Sequence, residues 1–159
     1  PRRAHARRRP RHVGGAVSNL DAVIAAAGHD LAAHANPRPA PDRFVSERGD
    51  SRAYVLEAVY EGYLLHYDEP RAFVGMDADL RLLAGDALYA QGLAQLAEDG
   101  DMEAVSELAD LISLCAWAES AGRRDLADAL WEASASRLLE GTGLGARAEV
   151  AADLARERD

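Results

Sequence analysis

Between residues 51 and 140 a helical pattern is interrupted at three places, "YDEP", "EDGD" and "SAGRRD". No stretch there alternates apolar and polar residues with the period of two that a half-buried strand requires. Each interruption has a local cause. Pro70 disfavours helical backbone at the residue before it, and Gly100 and Gly122 suit the left-handed position that ends a helix. The spacing predicts helices over about 51–67, 77–98, 102–121 and 124–140. Asp50, Asp77, Asp101 and Asp125 stand at or near the starts, where a carboxylate caps free amides and meets the positive end of the helix dipole. Connections this short join antiparallel neighbours, so the expected fold class is all-α: an antiparallel helical bundle of four main helices over residues 50–140.

The flanks read differently. Residues 18–49 form a helical arm and a proline-rich loop: "SNLDAVIAAAGHDLAAHANP" offers Ser18 or Asn19 as a cap, Gly28 as a division and Pro37 as a stop, and "NPRPAPDRFVSERGD" cannot continue a helix. Residues 1–17 open without a methionine, are rich in arginine and proline, and read as a basic disordered tail. Residues 141–159 read as a flexible glycine linker, "EGTGLGA", followed by a polar C-terminal helix.

Charge excludes several functions. Residues 50–140 hold six arginines against nineteen acids, so the folded part lacks the basic face that phosphate neutralisation needs, and no nucleic acid is expected on it. All eighteen cations are arginine, which removes a Schiff-base or P-loop lysine from consideration. The apolar run around "LISLCAWA" is far shorter than the roughly 20 residues of a membrane span. A single cysteine, Cys115, permits no intrachain disulfide, and with no apolar leader a reducing, cytoplasmic setting is expected. The turns "LAEDGDMEAV" and "AESAGRRDLADAL" resemble one another at a period of 22, whereas tetratricopeptide units repeat at about 34; a helical-repeat adaptor is therefore an alternative without its expected period.

Four groups of side chains invite a functional reading. On helix 77–98, Asp79, Leu82/Leu83, Asp86, Ala90, Leu93 and Ala97 share a face, which predicts a buried Asp86 held by an arginine, a tyrosine hydroxyl or a helix N-terminus. Gly85 and Gly92, in register with Leu88, Tyr89 and Leu96, each cost about 1 kcal/mol relative to alanine, which predicts a helix packed closely against them, from this chain or a partner. Helix 51–67 carries Tyr60, Tyr63 and Tyr67 in one row with Leu56, and Val55, Val59 and His66 in another, marking a core or interface edge. His66, Asp68 and Glu69 form the tight His-plus-acid cluster that makes them metal candidates, although neighbours at a helix end point apart. "EDGDMEAVSE" lacks the twelve-residue calcium-loop spacing, and Cys115 sits on an apolar stripe with Leu108 and Ile112 as a small core residue, so no catalytic triad and no cofactor are expected.

The phrase "LLAGDALYAQGLAQLAEDGD" resembles the "LAGD" helix of trans-isoprenyl diphosphate synthases, and "LLHYDEP" occupies the place of that family's first aspartate-rich motif. In active members that motif binds magnesium ions that ionise an allylic diphosphate. Here Asp68 and Glu69 are what remain of it, and no second aspartate-rich motif follows. The style is similar to the non-catalytic component I of two-component heptaprenyl diphosphate synthases, on Leu83 to Asp86, Tyr89, Gly100, Asp101 and the helix Met102 to Ala118. The resemblance covers about residues 51–121; the chain is shorter than that family's members, and its last third carries no family signature. It implies an accessory subunit that pairs with a catalytic prenyltransferase subunit or, more generally, with a protein partner or its own copies. A magnesium-dependent prenyltransferase of low activity is the remaining alternative.

Overall fold

The computed structural model describes residues 18–47 and 51–157, so the readings of the 1–17 segment and of Asp50 fall outside the described residues. The helices are α1 (Asn19–Ala26), α2 (His29–Ala32), α3 (Arg52–Tyr67), α4 (Ala78–Glu98), α5 (Met102–Ser120), α6 (Arg124–Ala135) and α7 (Ala146–Arg156), with α6 running into a π-helical turn at Ser136–Glu140. Among the described residues the one extended pairing is an isolated bridge between Ala35 and Phe73, and the fold is all-α. Among the described residues there are seven helices, where the sequence predicts four main ones, an arm divided at Gly28 and a polar C-terminal helix. No helix among the described residues is long and apolar enough to cross a membrane.

Local signals set the helix ends. The side chains of Ser18, Asp77 and Asp101 accept from the amides of Asp21, Leu80 and Ala104, whereas Asp125 lies inside the first turn of α6. Gly28, at φ 85°, separates α1 from α2. The helices α3 and α4 run antiparallel: Ser51 meets Asp99 at one end, Val55 and Val59 face Gly92 in the middle, and Gly62 faces Gly85 near the other end. The chain then returns along α5, with Asp101 bonded to Arg52 at its start and Glu119 to Tyr63 at its close.

The apolar core has two parts that share α3. One joins α3 to α5 and α6 through Leu56, Tyr63, Leu108, Leu111, Leu130 and Trp131. The other joins α3 to α1 and α4 through Leu20, Val23, Leu65, Phe73 and Leu88. Packing on both flanks explains why α3 is buried nearly all round and shows no single apolar stripe.

The C-terminal segment makes specific bonds to the helices before it. Gly141, Gly143 and Gly145 all take positive φ, and the Thr142 amide bonds to the Ser136 carbonyl. Buried Glu107 then accepts from the Ala146 amide at 2.7 Å and from the Ser134 hydroxyl at 2.6 Å, placing a carboxylate at the positive end of α7. A side chain on Gly145 would collide with that carboxylate.

Candidate functional site

The seam between α3 and α4 is built by three glycines. A Cβ on Gly92 would lie 2.7 Å from Val59 Cγ2, and one on Gly85 would lie 2.6 Å from the His66 ring. On the facing helix, a Cβ on Gly62 would lie 2.8 Å from the Tyr89 ring and 3.0 Å from the Gly85 carbonyl oxygen. The helix that approaches Gly85 and Gly92 is therefore α3 of the same chain. Gly62 completes the notch, and its signal in the sequence was a glycine inside "YEGYLL".

The tyrosine row faces α6. Tyr60 and Tyr63 stack with centroids 5.9 Å apart, and both meet Trp131, at 4.8 and 5.6 Å. The Tyr63 hydroxyl donates to Glu119, and burial followed by that carboxylate raises its pKa well above the ordinary tyrosine value. Tyr60 lies under two guanidinium groups, Arg43 at 4.4 Å and Arg71 at 4.9 Å from the ring centroid. Tyr67 ends the row half-exposed, and Tyr89 packs on His66 from α4 at 5.2 Å.

Asp86 is not buried. Its side chain is 74% exposed, because the stripe Asp79, Leu82/Leu83, Asp86, Ala90 and Ala97 is the outward face of α4 and the glycine stripe is the inward one. His66 Nε2 lies 3.2 Å from Asp86 Oδ1, close but not aligned as a hydrogen bond, and it has no hydrogen-bond partner among the described residues. The metal candidates are dispersed by their partners. His66 turns to α4; Asp68 receives Arg124 of α6 at 2.7 Å and the Glu69 amide at 2.9 Å; Glu69 faces solvent. Among the described residues no group of three or more His, Cys, Asp or Glu side chains is placed to hold a metal ion.

An open cleft of about 580 Å³ lies between the end of α3 and the start of α4, walled by His66, Asp68, Met76, Arg81 and Leu82. Its size suits a small molecule. Its guanidinium is already committed: Arg81 donates to the carbonyls of Leu64, Leu65 and Asp68, closing the C-terminus of α3, and Arg124 adds a bond to the Tyr67 carbonyl.

The most concentrated buried charge went unread in the sequence. Glu57 and Glu61 are fully buried, four residues apart on α3, and both face Arg71, at 2.7 and 3.3 Å. Glu57 also accepts from the Phe44 amide and Glu61 from the Ala72 amide, each at 2.6 Å, so the pair pins two loops onto the helix. Burial, the largest influence, raises the Glu61 pKa against the lowering pull of the Ala72 amide and Arg71. At the far end of α3, Arg52 grips Asp101 with two bonds and holds its carboxyl below the usual range. Cys115 is buried, and desolvation pushes its thiol up to about 12, so it is a core residue without thiolate character.

Large apolar side chains are exposed at several places, among them Val45, Met102, Trp117 and Leu144, and the outward face of α4 exposes two adjacent ones. Leu82 and Leu83 are 50% and 68% exposed on a helix whose other side is spent on the seam. Compared with family models, curated proteins and solved structures, the chain matches none.

Proposed function

We propose that this protein is a non-catalytic, isoprenyl-synthase-like accessory subunit that binds a protein partner through the outward face of α4. One observation carries the proposal: the "LAGD" helix buries Ala84 and sets Gly85 in close contact with α3 while Leu82 and Leu83 are left in solvent. Exposed leucines adjoining one another mark a contact surface more often than isolated apolar residues do. At the place of the first aspartate-rich motif, Asp68 is engaged by Arg124, which favours a structural role there. The contacts of Trp131 with Tyr60 and Tyr63, and of Asp101 with Arg52, support reading α3 to α6 as the antiparallel four-helix unit such a subunit would need. Buried Cys115 is compatible with a reducing, cytoplasmic setting. The packing of α7 on both α5 and α6 favours, as a second reading, an adaptor made of stacked helices.

The test is a reconstitution. The purified chain alone, given magnesium and a labelled allylic diphosphate, should yield no condensation product, and mixing with the host's catalytic isoprenyl diphosphate synthase subunit should yield a complex that Leu82→Ser/Leu83→Ser weakens. Product formed by this chain alone would overturn the proposal. A partner whose binding ignores both leucines would move the surface elsewhere.

A further inference from the structure

We infer that the outward face of α4 receives a basic amphipathic helix from its partner, an inference that rests on reading this face as the interaction surface. Beyond the two leucines, the exposed residues of the face are Ala87, Ala90, Ala94 and Ala97, small enough for a second helix backbone to come close. The charges on it are of one sign. Asp79, Asp86 and Glu98 are exposed, and the one basic residue of α4, Arg81, has its guanidinium turned back onto the carbonyls of Leu64, Leu65 and Asp68.

That charge pattern chooses between occupants. Two copies meeting α4 to α4 would set carboxylates near carboxylates with no cation from either helix, and like charges brought together at an interface are costly. An acidic membrane surface is repelled for the same reason. A helix with leucines at three- and four-residue spacing and arginines beside them meets both needs: its apolar side takes Leu82 and Leu83, and its cations take Asp79 and Asp86.

The experiment uses the full chain and two synthetic helical peptides with the same leucine pattern, one flanked by arginines and one by glutamates, read by fluorescence anisotropy at low and high salt. The arginine peptide should bind and the glutamate peptide should not. Leu83→Ser should weaken binding about tenfold, and Asp86→Asn should flatten its salt dependence. Circular dichroism of both variants should match the parent. Failure of the arginine peptide, equal binding of the glutamate peptide, or binding indifferent to Leu83→Ser would each overturn the inference. Self-association abolished by Leu83→Ser would overturn it too, and would put a second copy on the face. A leucine-dependent complex with the catalytic subunit alongside a silent arginine peptide would remove the basic helix and keep the surface; leucine-independent assembly would remove the surface itself.

Discussion

The two flanks of α3 are equally dry and are held by different physics. Toward α4, Val55, Val59, Gly62 and His66 meet Gly92, Gly85 and Tyr89, and the contact is a matter of shape. Toward the loops that precede α3 and α4, Glu57 and Glu61 meet Arg71 and two backbone amides, and the contact is a matter of charge. A shape contact degrades by degrees as atoms are added or removed. A buried charge contact fails abruptly, because the partner left behind keeps its full desolvation cost.

The sharpest way to break the comparison is therefore Arg71→Met, which keeps an apolar stem and deletes the guanidinium. Two buried carboxylates would lose their cation, and removal of one partner from a buried ion pair typically costs about 3–5 kcal/mol. Urea unfolding followed by circular dichroism should show a midpoint drop of that order. A loss near that of an exposed pair would mean that the Phe44 and Ala72 amides suffice for Glu57 and Glu61.

On the other flank, Gly92→Leu should cost less, about 1–3 kcal/mol by overpacking. Gly92→Ala is the finer probe. Open helical sites gain about 1 kcal/mol from that change, but here the new methyl would meet Val59 Cγ2 at 2.7 Å and Val55 Cγ1 at 3.3 Å, and β-branched side chains have little rotamer freedom in a helix. The alanine variant should be less stable than the parent. A gain in thermal midpoint would show that α3 and α4 can part slightly at no cost.

The difference between the flanks also governs what the sequence could reveal. Helix limits were legible because Pro70, Gly100, Gly122, Asp77 and Asp101 act locally. The close approach to Gly85 and Gly92 was legible because two helix-weakening residues at a spacing of seven need a compensating contact. Which apolar stripe of α4 faces inward was not decided by hydrophobicity: Leu82 and Leu83, in register with half-buried Leu93, made the outer one look like core and carried Asp86 with it. Glu57 and Glu61 stayed hidden because their partners, Arg71 and the amides of Phe44 and Ala72, come from loops that periodicity does not place. Gly62 was concealed by the tyrosines around it, and Trp131 gave no sign that it would close the tyrosine row from three helices away.

Titration separates charge from shape without removing any atoms. Because the folded-state pKa of Glu61 is raised, the folded chain holds that proton more tightly than the unfolded one. Its contribution is complete below the ordinary carboxylate range and is lost as pH rises through the raised value. Asp101 runs the other way: lowered by Arg52, it stabilises above the ordinary range and loses that contribution as pH falls through its depressed value. Stability should therefore decline by the Glu61 component as pH rises above the ordinary carboxylate range, and Glu61→Gln should flatten that limb while leaving the acid limb of Asp101 in place. An unchanged decline in the glutamine variant would assign it to another group.

The smallest effect expected is also the one that tests whether α4 has a free side at all. Leu83 is 68% exposed, whereas Leu88, one and a half turns along the same helix, is fully buried between α1, α3 and α4. Leu88→Ala removes methyl groups from a packed core and should cost about 2–5 kcal/mol. Leu83→Ser removes a side chain already in water, so its effect on unfolding should stay within about 0.5 kcal/mol, with the small helix-propensity penalty of serine as its main part. Measured side by side in the purified chain, the pair reports the inner and outer faces of one helix. If Leu83→Ser proved as damaging as Leu88→Ala in the chain alone, the outer face would already be covered in solution, and a self-contact there would have to be sought before any partner.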